Sequence, residues 1–95
     1  MKLIDIIIGL RKELSLFKTT NTFAQSTHAR DIVFAIEKAI LLIEDAETNR
    51  SKIMEKDKIW FKGAYQVTRE FEENEWRKIG LLYDKLVEKA ESEFW

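Results

Sequence analysis

The chain has 95 residues, with 16 Lys and Arg against 17 Asp and Glu, one His, three Gly, and neither Pro nor Cys. A disulfide scaffold and any thiolate metal site are excluded, and a catalytic triad has a single candidate base. An apolar share of 45 % with charges that cancel predicts one folded domain over residues 1–95 and not a disordered chain.

The opening run Leu3 to Leu10 is apolar, but Asp5 interrupts it and Arg11, Lys12 and Glu13 follow it. That pattern reads as a helix and not as a signal peptide. No stretch approaches the ~20 apolar residues of a membrane span, so no segment is expected to span a membrane. Leu3, Ile7, Leu10, Leu14 and Phe17 recur at spacings of four and three, widened by Ile4 and Ile8. They predict a first helix over about residues 2–18. Gly9 lies inside it, which fits a close helix approach.

Thr19, Thr20 and Asn21 read as a connector. Thr22 and Gln25 have capping-box spacing, and Ser26 or Thr27 offers a second start. A second helix is predicted over 22–48. Its stripe is Ala29, Ile32, Ile36, Ala39, Ile40, Ile43 and Ala46. Val33, Phe34, Leu41 and Leu42 broaden that stripe, which predicts a central helix buried on more than one side. Residues 45–51 allow two readings: a turn between Asn49 and Ser51, or an exposed part of a helix reaching 61.

A third helical region runs from about 52 or 64 to 94. Its stripe is Trp60, Ala64, Val67, Phe71, Ile79, Leu82, Leu86 and Ala90, with Glu75 interrupting it beside Trp76. Strand signals are absent. The predicted fold is all-α: an antiparallel bundle of three helices, or four with a turn near 50, one short and two long. The short first helix leaves part of a long hairpin uncovered, so a homodimer is expected.

No constellation of reactive groups emerges, so no catalytic, cofactor-binding or metal-ligating residue is assigned. Histidine phosphotransfer domains are similar in size and fold class, but Ala29, Arg30 and Asp31 replace the Lys and Gly that follow their His, so His28 reads as a surface or capping residue. Glu44 with Glu47, and Glu70 with Glu73, lie one turn apart. A di-iron bundle also needs two Glu-x-x-His motifs, which one His cannot supply. The acids at 70–75 wrap around their helix and do not line one face. Three isolated Gly cannot form a phosphate loop. The net charge of −1 argues against a nucleic-acid partner, despite the excess of cations at 50–62.

The aromatic residues are the most informative group. Trp60, Phe61, Tyr65, Trp76, Phe94 and Trp95 crowd the last part of the chain, with Arg69 among them. Adjacent Trp60 and Phe61 point about 100° apart on a helix, so a narrow core stripe hides only one of them. These seven residues are the expected partner-binding set, because Trp, Tyr and Arg dominate interface hot spots. In length and lack of Cys the chain resembles the small secreted WXG100 proteins, whose mark is Trp-x-Gly between two helices. Trp60-Phe61-Lys62-Gly63 is one residue longer, and the mark does not carry over.

The sequence therefore predicts a cytoplasmic, non-enzymatic module that binds and regulates or inhibits a larger protein. Accessory factors of phages and mobile elements are proteins of this kind. The alternatives are a self-assembling structural bundle, secreted or not, and a bundle lying on a membrane surface.

Overall fold

The computed structural model describes residues 1–61 and 74–95, with side chains from residue 76 onward in the second part. Every regular element among them is helical, so the fold is an all-α bundle.

Helix α1 spans Leu3–Phe17 and buries Leu3, Ile6, Ile7, Leu10, Leu14 and Phe17. Its stripe is the predicted one, except that Ile6 joins it while Ile4 and Ile8 face outward. One hydroxyl closes α1 and opens the next helix. Thr20 Oγ1 donates to the Phe17 carbonyl at 2.7 Å and accepts from the Phe23 N–H at 3.3 Å. Helix α2, Asn21–Gln25, therefore starts earlier than the Thr22 capping box implies. Ser26 then leaves helical geometry, and its Oγ accepts from the Ala29 N–H at 3.2 Å. This is an N-cap, satisfying one of the orphan amides of the next helix, α3 (Thr27–Asn49). The predicted helix over 22–48 is thus two helices on either side of a single capping serine, one short and one long.

Helix α3 stops at Asn49, which decides between the two readings of residues 45–51 in favour of the turn. Arg50 adopts a left-handed conformation, with φ 50° and ψ 44°. The Ser51 N–H reaches the Ala46 carbonyl at 2.9 Å, and the Arg50 N–H the Glu47 carbonyl at 3.3 Å. This pair of bonds is a Schellman motif, a site where Gly is ordinarily preferred. Arg50→Gly is therefore expected to raise stability by about 0.5–1 kcal/mol, read as a higher urea midpoint at unchanged slope.

Beyond the turn, Ile53 is buried and its N–H donates to the Phe94 carbonyl at 2.7 Å. A 3₁₀ turn follows at Glu55–Asp57, and residues 58–61 are helical. Helix α4 spans Asn74–Lys89 and continues into a π-helical turn, Ala90–Phe94. In this part the buried set is Trp76, Ile79, Tyr83, Leu86, Ala90 and Phe94. Leu82 is only half-buried, beside that set. Ala64, Val67 and Phe71 of the predicted stripe lie outside the described residues.

Two long helices pack on α1, both antiparallel to it. Toward α3, Arg11 pairs with Glu44 at 2.6 Å and Lys18 with Glu37 at 2.9 Å, seven residues apart on each helix. Toward α4, a side chain at Gly9 would meet Leu82 at 3.3 Å, while Lys85 reaches back to Met1. Gly9 thus faces α4 at Leu82. Helix α1 packs on both α3 and α4, and the outer side of α3 keeps Phe34 and Leu41 exposed. No described helix is long and apolar enough to cross a membrane.

Candidate functional site

Of the seven aromatic and basic residues singled out in the sequence, the five that are described do not form one surface. Phe61 and Trp76 are 0 % and 1 % exposed, and Phe94 is buried. These three are core residues, a correction to their expected role as contact residues on the surface. The physical reason is volume: Trp76 and Tyr83 are among the largest fully buried side chains, and Trp76 lies edge-on to Phe17 with centroids 4.8 Å apart. They fill the space against α1 that small residues would leave empty.

Trp95 is half-buried and closes the C-terminal turn. Its ring lies 5.7 Å from that of Phe61, and the Lys58 ammonium sits 4.9 Å from its centroid. This cation–π contact, with the Lys58–Glu55 ion pair behind it, clasps the turn at 55–61 to the chain end. Tyr65 and Arg69 lie outside the described residues.

Trp60 is the member of the set that reaches the outside. It is half-buried, and its ring lies 6.2 Å from that of Phe34 at an interplanar angle of 74°. Phe34 itself is 62 % exposed, and Leu41, two turns further along α3, is 54 % exposed. The sequence placed both in a broadened core stripe; the structure places them on the opposite side of α3 from Ile36 and Ile43. The signal that separates them was present. Phe34 and Leu41 are seven apart and share a helix face with Arg30, Glu37, Lys38 and Asp45, all charged.

Arg30 is fixed at the edge of this face. Its Nη2 donates to the Ala24 carbonyl at 2.6 Å and its Nε to the Phe23 carbonyl at 3.3 Å, while its guanidinium lies over the Phe23 ring. It thereby satisfies the carbonyl end of α2 and ties that short helix to α3. Glu37, on the same side of Phe34 as Arg30, is held by Lys18.

The carboxylates weighed as ligands are otherwise engaged or dispersed. Glu44 takes both terminal nitrogens of Arg11, at 2.6 and 2.9 Å, and this hydrogen bonding raises the Arg11 pKa above its ordinary value. Glu47 is exposed beyond it. Glu70, Glu72 and Glu73 lie outside the described residues, as does the side chain of Glu75. Among the described residues no three potential ligands converge. His28 lies exposed in the first turn of α3. A groove of about 470 Å³ at the far end of the bundle is lined by Met1, Ile6, Lys85, Glu88, Lys89 and Ser92. Its lining is mixed in charge, and its Ser92 hydroxyl donates to the Lys89 carbonyl at 3.3 Å.

No protein family, no characterised protein and no solved structure matches the chain. The face around Phe34 is therefore read from its own geometry.

Proposed function

We propose that the chain is a non-enzymatic protein-binding module that regulates or inhibits a larger partner through the outer face of α3. The docking residues are Phe34 and Leu41, with Trp60 at their edge and charged residues around them. One observation carries this reading: a large aromatic ring, Phe34, is left 62 % exposed on a helix whose opposite face is well packed. Burying apolar surface yields about 25 cal/mol per Å². An uncovered aromatic pair is thus a ready anchor, and aromatic anchors rimmed by charge are the usual energetic centre of protein interfaces.

The test is a capture experiment from the cell extract of the chain's own host, comparing the tagged protein with its Phe34→Asp variant. The native chain is expected to recover one larger protein in stoichiometric amount. The variant is expected to lose it, an effect of at least ~30-fold for a hot-spot residue. Because Phe34 is exposed, the variant should keep its melting temperature. Equal capture by both proteins would overturn the assignment of this face.

A further inference from the structure

Four charged residues surround Phe34 on α3. Arg30 and Asp31 lie one turn before it, and Glu37 and Lys38 one turn after. By the helical period, Arg30 and Glu37 fall on one side of Phe34, and Asp31 and Lys38 on the other. Around the ring the signs therefore alternate: positive, negative, positive, negative. Arg30, Asp31 and Lys38 are exposed and Glu37 is half-buried. The quartet has no net charge, so it offers little to a uniformly acidic or basic partner. It is instead complementary to itself.

We propose that the outer face of α3 docks onto the same face of a second copy of this chain, with the two α3 helices antiparallel and the two Phe34 rings meeting on the two-fold axis. A two-fold rotation about an axis in the contact plane, perpendicular to the helix, sets Asp31 against Lys38 of the second copy and Arg30 against Glu37 of the second copy. Symmetry repeats both pairs, giving four ion pairs around two stacked rings. A parallel arrangement satisfies the same quartet, but it brings the exposed Asp45 of one copy against Asp45 of the other. The antiparallel one carries Asp45 past Thr27 of the other copy and so separates the two acidic ends of α3.

Two members of the quartet are already held. Arg30 is fixed by the carbonyls of α2, and Glu37 by Lys18. Little side-chain freedom is lost when they pair across the interface. The apolar part of the face is small: Phe34 and Leu41 with the edge of Trp60. So small an apolar area makes the complex weak and concentration-dependent. This proposal rests on the reading of the α3 face as a docking surface, and names one of its partners.

The test is sedimentation equilibrium of the full chain from about 10 μM to about 1 mM, since self-association follows mass action. The mean mass is expected to rise toward the dimer, and high salt to lower it. Phe34→Asp should abolish the rise. Lys38→Glu sets like charges against Asp31 twice and should weaken association at least tenfold. Reversing both neighbours, Glu37→Lys with Lys38→Glu, keeps a parallel quartet complementary and makes an antiparallel one repulsive, so this double variant should be monomeric. A thermal melt by circular dichroism accompanies each variant, and all should stay folded, since every substituted side chain is surface-accessible. A single monomer mass at all concentrations would overturn the proposal, as would a dimer indifferent to Phe34→Asp and Lys38→Glu. A dimer retained by the double variant would overturn the antiparallel arrangement. A chain that stays monomeric while Phe34→Asp still abolishes capture of a larger protein defeats only the self-docking. Indifference of both assays to Phe34→Asp defeats the docking face itself.

Discussion

Trp76→Ala is expected to lower stability by about 3–5 kcal/mol, the range for emptying a large aromatic side chain from a packed core. The residue is 1 % exposed, and its ring lies 4.8 Å from Phe17, at the junction of α1 with α4. Neither neighbouring helix can close the gap without giving up its own contacts. Small domains have only about 5–15 kcal/mol in total, so a measurable share of the variant should be unfolded at ambient temperature. Urea denaturation checks this: the midpoint should fall sharply while the slope stays the same. Any loss of partner capture by this variant would track the unfolded fraction. That behaviour separates a core tryptophan from a contact residue such as Phe34, whose replacement should leave the urea midpoint in place.

Tyr83→Phe is the second large effect. The Tyr83 hydroxyl is buried and donates to the Phe61 carbonyl at 2.8 Å, joining α4 to the helical turn at 58–61. Removing it leaves that carbonyl without this donor in the interior, a cost of about 1–3 kcal/mol at neutral pH. Burial also pushes the Tyr83 phenol pKa up, and the negative charge of Asp84 adds to the shift. The sign follows directly. Above the ordinary tyrosine pKa of about 10, the unfolded chain releases this proton while the folded chain keeps it, so stability falls as pH rises. Below about pH 10 the contribution is complete. Chemical denaturation from about pH 7 to about pH 11 should therefore show the native chain losing stability at the alkaline end. Tyr83→Phe should be less stable at neutral pH and lose that part of the alkaline decline. An unchanged alkaline limb would contradict the buried phenol.

Local chemistry made several elements legible. The 3-and-4 spacing of Leu3, Ile7, Leu10, Leu14 and Phe17 marked α1, and Ser26 marked the start of α3, because both signals lie within one helical turn. The angle between Trp60 and Phe61 was enough to say that only one would be hidden, and Phe61 is the hidden one. The phase of the third region was not legible. A stripe carried from Trp60 over several turns arrives at Glu75 and Leu82, one residue before the buried Trp76 and Tyr83. The offset is present from the start, because Phe61 and not the adjacent Trp60 is the buried residue. Ile53 lies in a stretch without periodicity, and its burial depends on a bond to Phe94 far away in sequence.

The candidate site was the least legible part, and for a different reason. Phe34 and Leu41 are apolar, and apolar residues all around a helix imply burial on every side. Which sides are covered depends on how many partner helices exist. Here α1 covers one side of α3, and on the other Phe34 and Leu41 stay exposed with the Trp60 ring at their edge. The sequence contained the correction, in the charges at 30, 31, 37 and 38, but only a structure shows that they ring an uncovered phenylalanine.

The most direct test of that face is position-specific crosslinking. A photoreactive phenylalanine analogue is placed at position 34 and, in a separate protein, at position 81. Leu81 is equally exposed, at 59 %, but lies on the outer side of α4. In host extract, position 34 is expected to give a discrete adduct with another protein and position 81 none. Adducts from position 81 alone, or equally from both, would contradict the assignment of α3 as the docking helix.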